Sequence, residues 1–170
     1  LSNGPTIISS STDGLQWTST TTSIFFGNGY GGLAFASAGA SYVAVTTSYT
    51  AYVRSELLTS TNATEWTDQR GLPSLFGLRS VIRFNGRYIA MSGQGTIVTS
   101  TDGATWDIAL AGGDCTFNAV ASSGTQYVAV GSIFATSDDG ITWTPHLWSQ
   151  HADRPQVMAT VATSGALFVA

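Results

Sequence analysis

Short runs in which apolar and polar residues alternate recur along the chain, each stopped by a glycine turn and resumed by an aromatic-led apolar run. Val81 to Arg87 precedes Tyr88-Ile89-Ala90, and Ala119 to Gln126 precedes Tyr127-Val128-Ala129-Val130. Leu33 to Ser41 followed by Tyr42-Val43-Ala44-Val45, and Ala159 to Leu167 followed by Phe168-Val169-Ala170, repeat the unit. A period of two with β-branched enrichment predicts strands, and Asn85-Gly86 between two such runs predicts a type I′ hairpin. Helix is expected to be nearly absent.

After these hairpins comes a second repeated pattern, S-x-[DN]-[GA]-x-x-W. Its copies run Ser11 to Trp17, Ser60 to Trp66, Ser100 to Trp106 and Ser137 to Trp143, with tryptophan spacings of 49, 40 and 37 residues. Each residue type has a physical task in a turn between two strands. Asp13, Asn62, Asp102 and Asp139 accept hydrogen bonds from turn amides, glycine permits positive φ, and Trp17, Trp66, Trp106 and Trp143 pack between neighbouring sheets. Asn62-Ala63 keeps the acceptor but gives up the glycine, so this turn is expected to be the least regular.

Hairpin plus turn makes four short strands per repeat, the blade of an all-β propeller. One domain over residues 1–170 is expected, with blade A built from 158–170 plus 1–18, blade B from 32–68, blade C from 79–108 and blade D from 117–144. Phe168-Val169-Ala170 aligns in phase with Leu1 to Ile8 against the Tyr88 to Val98 segment. The fourth tryptophan spacing, 27 plus 17, is therefore 44 residues and the chain holds four whole repeats. A four-bladed ring closed by a blade split between the termini, a stretch of a longer propeller, and head-to-tail pairing of two chains in an eight-bladed ring all fit this phase.

The four turns resemble the Asp-box, or bacterial neuraminidase, repeat of sialidases, xyloglucanases, sortilin-type receptors and photosystem II assembly factors. That resemblance implies a propeller whose boxes lie on the face opposite the functional site. A sialidase would imply three arginines on a substrate carboxylate, a tyrosine–glutamate nucleophile pair and an aspartate acid/base. Here Arg79 and Arg83 share a strand, Arg54 and Arg70 lie in loops, and Tyr52 with Glu56 is the available pair. A xyloglucanase-like hydrolase would need two carboxylates across a cleft, for which Asp114 and Asp153 are available.

Composition narrows the class of partner. Only 9% of residues are charged, the net charge is -4, and the six cations are all arginines scattered along the chain, an arrangement unsuited to nucleic acid. With 45 Ser and Thr residues carrying solubility, the balance leans to an extracellular, cell-surface or virion-surface setting. No apolar run reaches the roughly 18 residues of a membrane span, so no membrane insertion is expected. Cys115 stands alone and reads as a small apolar residue near a blade edge.

The departures from repeat length fall on the face away from the repeated turns. They carry Tyr30, Tyr49, Tyr52, Arg54, Phe76, His146, Trp148, His151 and Arg154, and Trp148 is the one tryptophan outside a repeated turn. Aromatics, Arg and His on loops held by a rigid scaffold are the makings of a binding face. His146 and His151 lie five residues apart with Asp153 close by, but no third ligand has a diagnostic spacing, so neither a metal nor a cofactor is expected. Asn62-Ala63-Thr64 matches a glycosylation sequon but falls inside a repeated turn. The expected function is non-enzymatic recognition or assembly, on a glycan or protein surface. A glycosidase-type hydrolase and a structural subunit are the alternatives.

Overall fold

A computed structural model describes residues 6–22, 33–46, 56–69, 77–148 and 157–170. The described residues form sixteen strands and no helix. Strands β3 (Leu33–Ala38), β4 (Ser41–Thr46), β5 (Glu56–Ser60) and β6 (Thr67–Asp68) make blade B; β7 (Leu78–Phe84), β8 (Arg87–Ser92), β9 (Ile97–Ser100) and β10 (Asp107–Leu110) make blade C. Blade D consists of β11 (Phe117–Ser122), β12 (Tyr127–Gly131), β13 (Phe134–Ser137) and β14 (Thr144–His146). Each is a four-stranded antiparallel meander. The chain is an all-β propeller of four-stranded antiparallel blades.

The remaining strands form two separate hairpins, β1 (Thr6–Ser10) with β2 (Thr18–Thr22), and β15 (Ala162–Thr163) with β16 (Phe168–Val169). These are the two halves assigned to blade A. No hydrogen-bonded pairing of β16 with β1 joins them among the described residues.

The strand period places the core between the blades. Side chains on one face of blade C, including Val81, Tyr88, Ala90, Val98 and Trp106, bury against Ala36, Val43, Val45 and Leu57 of blade B. The alternate positions Ile89, Met91 and Ile97 face blade D and bury against Phe117, Val120, Tyr127 and Trp143. Both faces of the middle blade are thereby covered, which is why β8 is buried at nearly every position.

Tyrosines opening the second strand tie adjacent blades together. The Tyr127 hydroxyl donates to the Phe84 carbonyl at 3.0 Å, and the Tyr88 hydroxyl to Ser41 at 3.4 Å. Burial is the leading cause that pushes both phenols above their usual range. Each ring also meets its own blade's tryptophan, with centroids 6.3 Å apart for Tyr88–Trp106 and 6.2 Å for Tyr127–Trp143.

The repeated turns are built by local hydrogen bonds. Asp102 Oδ1 accepts from the amides of Ala104 at 2.8 Å and Thr105 at 2.7 Å, and Asp139 Oδ1 from Ile141 at 2.7 Å and Thr142 at 2.8 Å. These donors hold both carboxyls at about 2, below the ordinary 3.8. Asp13 is lowered for the same reason. Asn62 plays the same part, its Oδ1 accepting from Thr64 and Glu65 at 3.0 and 2.8 Å, so the degenerate turn keeps the acceptor pattern. Its irregularity is conformational: Ala63 sits at φ 59, a region that costs a residue with a Cβ.

Glycine answers a second demand here. A Cβ on Gly140 would lie 2.8 Å from Ile89 Cδ1 of blade C, and one on Gly103 would lie 2.8 Å from Val43 Cγ2 of blade B. The turn glycine thus permits both positive φ and close approach of the preceding blade.

Candidate functional site

In an antiparallel meander the first-to-second hairpins and the third-to-fourth turns share one end, and the second-to-third turns and inter-blade loops share the other. The bonds across each end agree with this. Gly113 N–H donates to Gln94 C=O at 3.3 Å and Ser132 N–H to Thr116 C=O at 3.1 Å at the loop end, while Asn85 Nδ2 donates to Gly124 C=O at 3.2 Å at the turn end.

At the loop end of blade D three rings converge. Phe134 and His146 are direct cross-strand partners and stack with centroids 4.7 Å apart and planes at 19°. Trp148 meets the same phenylalanine at 4.8 Å and 38°. All three are half-buried. His146 Nε2 lies 3.1 Å from Thr136 Oγ1, a hydrogen bond that orients the imidazole across the strand pair.

Trp148 has a second attachment. Its Nε1–H donates to the Gly131 carbonyl at 3.1 Å, and the same carbonyl accepts the Met158 N–H at 3.0 Å. The indole therefore caps the junction between blade D and the segment leading into β15, with part of its surface open to solvent. The repeated-turn tryptophans Trp17, Trp66 and Trp106 instead return their N–H to their own turn carbonyls, at 3.2, 3.2 and 2.9 Å.

A polar link crosses the loop end beside these rings. Arg79, exposed near the start of β7, donates through Nη1 to Asn118 Oδ1 at the corresponding position of β11. Asn118 Nδ2 in turn donates to the Met158 carbonyl at 2.8 Å. Blades C and D and the chain entering β15 are thus connected through their first strands. The Arg79 guanidinium lies over Gly93, where any Cβ would approach its Cζ to 2.6 Å.

Of the residues assigned to binding from sequence, the structure brings together His146 and Trp148. Tyr30, Tyr49, Tyr52, Arg54, Phe76, His151 and Arg154 lie outside the described residues, as do Arg70 and Asp153. Asp114 is exposed in the loop between β10 and β11. Arg83 is engaged elsewhere, its guanidinium carbon 5.0 Å above the Tyr88 ring between blades B and C. Among the described residues no three of His, Cys, Asp and Glu gather. Cys115 is half-buried and packs against the core between blades C and D, where burial is the first cause raising its thiol.

Sequence reasoning missed Phe134, Asn118 and Gly131. The first was available from strand register, since a hairpin folded about Asp139-Gly140 sets Phe134 opposite His146. The second was available from the repeat, because Arg79 and Asn118 hold one position in successive blades. Gly131 acts through its carbonyl, which carries no side-chain signal.

No protein-family model matches the chain and no curated protein is similar to it. Solved structures share its fold. It is similar to YCF48 bound to D1 peptide at 20% identity and a TM-score of 0.53, over 76% of this chain and 43% of that one. YCF48 from Cyanidioschyzon merolae matches at 16% identity and a TM-score of 0.51, over 76% and 46%. The computationally designed Ika4 protein matches at 13% identity and a TM-score of 0.55, over 83% and 85%. The chain therefore spans less than half the length of the YCF48 chains it matches. At the level of class it is a propeller.

Proposed function

We propose that this chain is a non-enzymatic recognition and assembly module of the Asp-box type that binds a protein segment or glycan through its loop face. The observation that carries the reading is the pairing of the Phe134, His146 and Trp148 rings with the Arg79–Asn118 link at the loop end. Flat half-exposed rings offer stacking area, and an exposed guanidinium beside an amide offers directional donors. The turn end has less to offer, because its Asp side chains are committed to their own backbone.

Of the two partner chemistries, a protein segment is favoured. YCF48, similar in fold, is itself bound to a peptide. The low charge and hydroxyl-rich surface are suited to an extracellular, cell-surface or virion-surface setting.

The test applies the folded protein to a peptide array and a glycan array, alongside Arg79→Ala and Trp148→Phe. Binding that falls at least tenfold in either variant, with unchanged thermal unfolding, supports the loop face. Binding that ignores both substitutions overturns the assignment. Hydrolysis of a sialoside or β-glucan abolished by Asp153→Asn would replace it with a glycosidase.

A further inference from the structure

Three of the four repeated turns keep Asp-Gly, and the turn of blade B departs from them at three consecutive positions. Asn62 stands where Asp13, Asp102 and Asp139 stand in the others, Ala63 replaces the glycine, and Thr64 takes the place of Leu15, Ala104 and Ile141. Two of these exchanges weaken the turn. A neutral amide accepts hydrogen bonds less strongly than a carboxylate held at about 2, as Asp102 and Asp139 are, and a Cβ at φ 59 is strained. Asn62 is exposed, so its exchange gains no packing in return. Residues that break a local rule without such a gain are expected where the position serves another purpose. Together the three exchanges make Asn-Ala-Thr, the acceptor sequon for an N-linked glycan. Of the five asparagines, Asn62 alone has Ser or Thr two residues on, so the acceptor is confined to this turn.

The turn also orients the amide for that role. Asn62 Oδ1 accepts from the Thr64 amide at 3.0 Å, the Glu65 amide at 2.8 Å and Ser60 Oγ at 3.2 Å. Three donors hold the carbonyl oxygen against the turn, which sets Nδ2 outward, where it donates to the exposed Glu65 carboxylate at 3.4 Å. An amide nitrogen joined to a sugar keeps one N–H. The contact with Glu65 and every bond to Oδ1 are therefore compatible with the attached glycan. The turn lies at the blade end opposite the loop end that carries Phe134, His146 and Trp148, so a glycan there leaves the loop face open.

We propose that Asn62 is the attachment site of an N-linked glycan, an inference that shares with the proposed function its extracellular or surface setting. The reaction needs a sequon-reading transferase and a glycosyl diphosphate donor. Asn62 Nδ2 bonds to the anomeric carbon of the donor. The bond from that carbon to the diphosphate oxygen breaks, its electron pair leaving on the diphosphate, and Nδ2 gives up one proton to a base of the transferase. The Thr64 hydroxyl is the group that the transferase reads, whereas the bond that Thr64 gives the turn comes from its backbone amide.

The chain, secreted from a eukaryotic cell behind a cleavable leader, is expected to exceed its polypeptide mass of 17.7 kDa by one glycan. An amidase that cleaves the glycosylamine should remove the excess and leave an aspartate at position 62 in the peptide map. Asn62→Asp restores the residue of the other three turns, so this variant should stay folded and carry no glycan. Thr64→Ala should lose the glycan and Thr64→Ser should keep it. A second measurement addresses the folded turn. Given a soluble sequon-specific transferase and a nucleotide-diphosphate hexose, the folded, unglycosylated chain should gain one hexose at Asn62. An unmodified secreted chain, a glycan that persists in Asn62→Asp, or a folded chain that the soluble transferase leaves unmodified overturns the proposal.

Discussion

Substituting Gly140 by alanine tests how the blades approach one another. The residue sits at φ +71, and an added Cβ would lie 2.8 Å from Ile89 Cδ1 and 3.1 Å from Arg87 Cδ of the preceding blade. Positive φ with a Cβ costs about 1–2 kcal/mol. Forcing a methyl into an occupied core position adds about 1–3 kcal/mol. Lower entropy of the unfolded chain returns about 0.4–1 kcal/mol. The net expectation is a loss of roughly 1–4 kcal/mol for Gly140→Ala. Gly86 is the internal reference, because its φ is +77 and nothing lies within 4 Å of an added Cβ. Gly86→Ala should therefore lose only roughly 0–1.5 kcal/mol.

Urea unfolding followed by tryptophan fluorescence measures both, with the slope checked for constancy. A double-mutant cycle then isolates the contact. Ile89→Val removes the Cδ1 methyl at its own cost of about 0.5–1.5 kcal/mol, but in the Gly140→Ala background it relieves the crowding. The double variant should be more stable than the sum of the single losses by about 1 kcal/mol or more. Additivity within about 0.5 kcal/mol, or equal losses in Gly86→Ala and Gly140→Ala, would refute the claim that the turn glycine is required by the neighbouring blade.

Other positions give independent checks. Ala63→Gly relieves a residue at φ 59 and should stabilise by up to about 1.5 kcal/mol in the same urea assay. Tyr127→Phe removes the 3.0 Å bond to the Phe84 carbonyl between blades C and D, and should cost about 0.5–1.5 kcal/mol, read from the denaturation midpoint. Asp102 and Asp139, held at about 2, contribute stability that is present above the ordinary 3.8 and is lost as pH falls toward 2. The melting temperature should therefore drop across that window, by less in the Asp102→Asn, Asp139→Asn double variant. Because the thiol is half-buried and burial raises its pKa, leaving less thiolate, Cys115 should react with a thiol reagent more slowly in the folded protein than in urea.

The candidate site was legible only in part. Trp148 stood out because the repeat gives it no turn to brace, and its aromatic neighbourhood follows once Phe134 is set opposite His146. That its indole N–H belongs to Gly131 was hidden, because the bond joins positions 17 residues apart through a backbone carbonyl. Arg83 illustrates the converse. Sequence grouped it with Arg79 on one strand, but packing against blade B turns it onto Tyr88, whereas Arg79 reaches blade D.

What the sequence by itself determined is the local chemistry of the blade. The repeated turns close through hydrogen bonds spanning two or three residues, the Asn85-Gly86 hairpin needs only positive φ at both positions, and strand period selects the faces that bury. These interactions lie within a few residues of one another, so the residue pattern suffices to specify them. Tertiary structure alone decided which side chains meet across blades and how the half-blades stand. Those outcomes depend on register between distant strands and on the turn from one blade to the next, quantities set by the packing of whole sheets and not by any single residue.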